Sequence, residues 1–189
     1  MGFAFSFVGG ALCLDFVNTV SWHLAERPVE HLERYGDLVA WALQAEVLDD
    51  EQAGRLLDRA VEDGGTLGRA LALREALFRT FRGEPTEGDL ERINEVLAEA
   101  MGRAVLYPAG AGLTWGWPHA EPEPPARMLW PVVRSAAELL SSAQADKVSI
   151  CAGGDCGWLF LDASRRRRWC SMRGCGNRAK AARYYERHK

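Results

Sequence analysis

The chain has 189 residues, 48% of them apolar and 26% charged, proportions that exclude general disorder and fit one domain or a domain plus a small module. Its net charge of −3 hides an asymmetry: residues 1–146 carry twelve Arg, no Lys and twenty-three acidic side chains, a net of −11, whereas residues 147–189 carry eleven Lys plus Arg against Asp155, Asp162 and Glu186, a net of +8. A basic tail on an acidic body is a pattern of polyanion-binding modules, and equally of a solvated tail. No apolar run approaches the roughly 18 residues needed to span a bilayer, which excludes a helical membrane protein.

The amino terminus, "MGFAFSFVGGALCLDFVNTV", lacks a positive leader region and places Asp15 inside its apolar run, so a secretory signal is not expected. The expectation is a cytoplasmic chain with reduced thiols. "FAFSFVGG" alternates as a strand does, and "ALCLDFVNTVSWHL" reads as a helix with Asp15, Asn18, Thr19 and Trp22 on one stripe, opposite Leu14 and Val17. Helical spacing recurs near 35–47, 50–62, 67–82 and 88–101, and "GEPTEGD" interrupts it with Thr86 or Asp89 as an N-cap. "AVLYPAGAGLTWGW" reads as a hairpin around a Gly-rich turn. "PHAEPEPPA" is a loop because its four prolines lack amide donors, and a last helix is expected from about Pro131 to Ala145. Residues 1–146 thus form an α+β domain, mostly helical with a small β element.

Residues 147–189 are different in kind, because so short a segment rarely closes a core without a metal, a disulfide or a partner. Four of the five cysteines lie there, at Cys151, Cys156, Cys170 and Cys175, as Cys-x4-Cys-x13-Cys-x4-Cys. Two close pairs separated by a longer arm let four thiolates converge on one Zn²⁺. Gly153 and Gly154 permit the tight turn of a knuckle, "GWLFLDASRRRRW" reads as two short strands around a turn, and Cys175 starts a helix whose dipole favours a thiolate. Four thiolates with no nearby His, Asp or Glu to hold an activated water describe a closed, structural site. Two disulfides would need an oxidising compartment, and iron–sulfur clusters use other spacings.

On a wheel of about 100° per residue with Arg178 at zero, Lys180, Arg183 and Arg187 fall near roughly 200°, 140° and 180°, opposite Ala182 and Tyr185. A zinc-clamped helix therefore offers a cationic stripe, to which Arg165, Arg166, Arg167, Arg168 and Arg173 add further guanidinium groups suited to phosphate. Arg178 points away from that stripe and is assigned to packing near the thiolates, with phosphate contact as its alternative. Asn177 caps or bonds locally.

The run "WLFLDASRRRRWCSMRGCGNRAKAARYY", with all four cysteines and the Cys-Gly-Asn-Arg element at 175–178, resembles the CGNR zinc finger. Gly9-Gly10 followed by "LCLDFVNT" is similar to the start of the ABATE domain that precedes this finger in bacterial proteins. The resemblance implies a bacterial transcription regulator, with a treble-clef-like finger at 147–189 that contacts DNA and an amino-terminal domain at 1–146 with a ligand-sensing or interaction role.

Asp15, Asn18 and Thr19 can line a pocket for a small-molecule effector or satisfy neighbouring backbone groups, and Trp115, Trp117 and Trp130 can form an aromatic pocket or core. Cys13 reads as a buried hydrophobe. With no third orienting group for a Cys13–His23 pair, an enzyme is not expected. The main expectation is a regulator that binds DNA; the alternative is a zinc module for RNA or a protein partner, for which Tyr184 or Trp158 could stack on bases. Oligomeric state is left open.

Overall fold

The computed structural model describes residues 3–58, 65–119 and 122–188. Its structure is α+β and about half helical. The first helix, α1 (Leu12–Val17), is short, and Cys13, Leu14, Phe16 and Val17 are all buried. A helix apolar on most of its surface belongs in the centre of a core, and α1 packs against the later helices α4 (Thr66–Phe81) and α6 (Leu129–Leu140). The helix expected to continue to Leu24 ends at Asn18, where the chain turns into a short antiparallel ladder, β1 (Val20–Ser21) with β2 (Val29–Glu30).

Residues 3–8 run extended without a partner strand. The Gln44 side chain supplies what a strand would: its amide accepts from Phe5 N–H and donates to Phe3 C=O. Helix α2 (Tyr35–Gln44) opens with Asp37 accepting the Arg34 N–H at 2.8 Å, and α3 (Asp50–Asp58) follows; residues 59–62 of the expected helix lie outside the described residues. Helix α5 (Glu87–Arg103) opens on a full capping box, in which Thr86 caps and the wholly buried Asp89 carboxylate accepts Thr86 N–H at 2.7 Å. The same carboxylate takes two bonds from Arg79 on α4, at 2.8 and 2.6 Å, so one residue joins a cap to a helix–helix contact.

Hairpin β3 (Val105–Ala109) with β4 (Gly112–Gly116) forms where expected, and Trp117 behind it donates to Ala100 C=O. After the proline loop, α6 starts at Leu129 and stops at Leu140, earlier at both ends than its pattern suggested. Strands β5 (Val148–Ile150) and β6 (Leu159–Leu161) pair antiparallel around the Cys151–Cys156 knuckle. This differs from the expected hairpin: the strand pair encloses the first cysteine pair, and the arginine run after β6 forms a loop. Val148 and Leu159 pack on the helical core, and Ile150, the partner of Leu159 next to the knuckle, stays exposed.

Helices and Leu159 share one core, and a second, smaller cluster gathers the four cysteines around Phe160. The seam between them is dense in specific bonds along the edge of β6. Leu159 N–H donates to Asn18 Oδ1 and Asn18 Nδ2 donates to Leu159 C=O, both at 2.8 Å. Leu161 N–H donates to Gly9 C=O at 2.7 Å. The Asn18 amide thus mimics the peptide group of a third strand.

Candidate metal centre and basic surface

The knuckle closes because Gly154 adopts φ 58° and Gly157 φ 70°, both in the region that favours glycine. A Cβ on Gly153 would lie 3.0 Å from Cys175 Sγ, so that glycine makes room for a ligand of the second pair. Cys170 leads into a widened turn over Met172–Gly176, which passes directly into helix α7 (Asn177–Arg187). The four Sγ atoms of Cys151, Cys156, Cys170 and Cys175 all lie within 4.8 Å of one another and all four residues are buried. Cys156 and Cys170 sulfurs are 3.8 Å apart, and those of Cys170 and Cys175 3.6 Å. A Zn–S bond near 2.3 Å places tetrahedral ligands about 3.8 Å apart, so the set fits the ion.

The crowding of the sulfurs suits a cation among them. Contact with Cys170 pulls the Cys156 thiol down to about 5, whereas the bond to Cys156 pushes Cys170 strongly up and burial pushes Cys175 up to about 11. Four sulfurs this close cannot all ionise without a divalent ion among them. Two donors temper the charge of the filled site: Cys170 N–H points to Cys151 Sγ at 3.2 Å, and Arg178 Nη2 donates to Cys175 Sγ at 2.9 Å. Arg178 also lies 4.5 Å over the Trp22 ring, matching the packing role assigned to it. Asn177 bonds locally, to Arg173 C=O.

The knuckle is held by the loop after β1. His23 N–H donates to Cys156 C=O and Leu24 N–H to Asp155 C=O, each at 3.1 Å, while Trp158 Nε1 donates to Val20 C=O at 2.7 Å. The approach is so close that a Cβ on Gly157 would sit 2.7 Å from His23 Cβ.

The cations expected to meet nucleic acid divide into two groups. Arg165, Arg166, Arg168, Arg173, Lys180, Arg183 and Arg187 are exposed, and among the described residues no acidic side chain is within ion-pair distance of them. Arg167, also exposed, differs in its bonding: its guanidinium folds back onto the finger, donating to the carbonyls of Val8, Trp169 and Cys170 and lying 4.3 Å over Phe160. Buried Asp162 shapes the arginine loop by accepting from Ser164 and from Arg167 N–H. Helix α7 has no buried residue.

Asp15, Asn18 and Thr19 do not gather around one cavity. Asn18 faces β6, and Thr19 donates to Phe16 C=O while accepting from Arg74. The Asp15 carboxylate accepts Gly9 N–H at 2.7 Å beside a shallow surface hollow. Burial pushes the Asp15 carboxyl up to about 6, against the amides of Gly9 and Val8 and the charge of Arg167. Cys13 is fully buried, and desolvation pushes its thiol up to about 12. Sequence reasoning missed Trp22 and Gly157 as contacts of the knuckle. Gly157 follows Cys156 directly, a position where a tight turn calls for glycine; Trp22 carried no comparable signal.

A helical α+β body joined to a closed four-thiolate site defines a structural zinc-finger protein. Residues 10–143 match the ABATE family, described as "putative stress-induced transcription regulator", and residues 147–188 match the CGNR zinc finger. The chain belongs to the ABATE family and carries a CGNR finger at its carboxyl end, with one structural zinc as its cofactor. No curated protein matches the chain. No helix among the described residues is long and apolar enough to cross a membrane.

Proposed function

We propose that this protein is a cytoplasmic transcription regulator that binds duplex DNA through residues 147–189, with residues 1–146 as the part that senses or interacts. The carrying observation is α7 itself. It has no buried side chain and is tied to the rest of the protein mainly at its zinc-held end, and an eleven-residue helix is marginal in water unless something else fixes it. Zinc anchors the first turn, and the outer face then presents Lys180, Arg183 and Arg187 without acidic partners among the described residues. A helix so presented fits the width of the major groove. Arg165, Arg166, Arg168 and Arg173 supply phosphate contacts beside it, and Arg167 braces the loop that carries them.

Fluorescence anisotropy of a labelled duplex against salt tests this reading. Each phosphate neutralised contributes about 0.9 to the slope of log K on log salt, so seven cations give a slope of up to about −6. A flat salt response overturns the proposal. The exposure of Tyr184 and Tyr185, at 60% and 69%, supports a second reading in which the aromatic pair stacks on single-stranded RNA. That reading takes precedence if single-stranded RNA displaces the duplex at equal charge concentration.

A further inference from the structure

The seam between the zinc knuckle and the amino-terminal body encloses a partly open cavity of about 360 Å³, within the range of roughly 300–1,000 Å³ typical of small-molecule sites. Both halves of the chain build it. Ser21 comes from the end of β1 and Trp22 from the loop after it, while Trp158, Ser171, Arg173 and Arg178 come from the finger. Three cysteine ligands form its floor, so whatever enters lies against the zinc centre.

Trp22 is the first sign that the cavity is more than a packing gap. Its backbone sits at φ 57°, a conformation that costs a bulky L residue on the order of 1 kcal/mol or more. Core burial does not explain that strain, because the indole stays 38% exposed. The flanking peptides hold the strained turn in place through the His23 and Leu24 bonds to the knuckle, and the result is an aromatic face on the cavity wall. Trp158 spends its N–H on Val20 C=O, leaving its ring to the cavity side.

Charge decides what can bind. Four thiolates and Zn²⁺ carry a formal charge of −2, and Arg178 already serves Cys175. Exposed Arg173 lines the same cavity and has no ion-pair partner among the described residues. One cation facing a dianionic centre suits a single negative charge: doubly ionised phosphate would meet stronger repulsion from the thiolates than a monoanion does, and a neutral ring would gain nothing from Arg173. We propose that the cavity binds a small aromatic monocarboxylate, its ring against Trp22 and Trp158 and its carboxylate on Arg173, with the Ser171 hydroxyl beside it. Guanidinium matches a carboxylate through two parallel bonds. Arg173 also stands among the DNA contacts proposed above, but the ligand site does not depend on that reading and is measured without nucleic acid.

The test uses the full-length zinc-loaded protein, titrated with benzoate, salicylate and indole-3-acetate by calorimetry and tryptophan fluorescence, with benzyl alcohol and inorganic phosphate as controls. At least one acid binds saturably at one site, while both controls fail to bind. Arg173→Ala weakens the acid about tenfold or more, since a hydrogen bond to a charged group is worth about 1.5–3 kcal/mol, and Arg173→Lys weakens it less. Trp22→Phe, which keeps an aromatic wall, retains binding with a smaller fluorescence change. Zinc content and far-ultraviolet circular dichroism verify that each variant is folded. Three results each overturn the proposal: no saturable binding of any acid at millimolar concentration, equal binding of phosphate or benzyl alcohol, or unchanged affinity in folded Arg173→Ala.

Discussion

Asn18→Ala tests whether the finger and the helical body are one mechanical unit. The Asn18 side chain is 4% exposed and forms two 2.8 Å bonds to Leu159, one in each direction. Removing the amide leaves a buried N–H and a buried C=O without partners, at about 1–3 kcal/mol each. The variant should lose about 2–5 kcal/mol, a large part of the 5–15 kcal/mol typical of a folded domain. Urea denaturation at saturating zinc measures it: with a slope of about 2–3 kcal/mol per molar, the midpoint falls by about 1–2 M. Asn18→Asp keeps an acceptor for Leu159 N–H but sets a carboxylate against Leu159 C=O in a dry site, so it should be at least as damaging at pH 7. A midpoint shift below about 0.2 M for Asn18→Ala, equivalent to less than about 0.5 kcal/mol, would refute the reasoning, as would a milder Asn18→Asp.

Cys151→Ser, or a strong chelator, should abolish stoichiometric zinc binding and with it the ellipticity of α7, because that helix has no buried face to fall back on; metal analysis and circular dichroism report both. Arg183→Glu with Arg187→Glu should leave zinc content unchanged and make the salt slope of DNA binding shallower by about two. Gly157→Ala forces a Cβ into His23 at a positive φ and should cost about 1–3 kcal/mol, seen as a lower urea midpoint. Asp15 supplies a pH signature. Its folded carboxyl, raised to about 6, binds its proton more tightly than the unfolded one near 3.8. The native state therefore loses stability as pH rises from about 4 to 6, and the loss is complete above 6. Asp15→Asn keeps a carbonyl acceptor for Gly9 and should remove that slope, so the wild-type minus variant difference in midpoint falls across this window and is flat above it.

Much of the site was legible along the chain because its information is local. Four cysteines in two close pairs name their ion through spacing, since a tetrahedral thiolate shell can be closed by short arcs of backbone. Lys180, Arg183 and Arg187 share a face through helix geometry alone, and Arg178 falls on the other side by the same arithmetic. The Thr86–Asp89 cap and the hairpin around Gly110 were likewise visible, each being set by residues within a few positions of one another.

What spacing could not decide was everything that depends on a distant peptide. The helix from Leu12 stops at Asn18 because Asn18 is spent on Leu159, 141 residues away. The FAFSFV alternation finds no strand because Gln44 satisfies it instead. Arg167 looks like its three neighbours in sequence, yet the carbonyls of Val8, Trp169 and Cys170 fold it back onto the finger. Periodicity and metal-ligand spacing are properties of a short stretch of backbone, whereas the partner of a buried amide or guanidinium is chosen only when the chain has closed on itself. The choice of zinc was therefore written in residues 151–175, and its attachment to the body was decided by the fold.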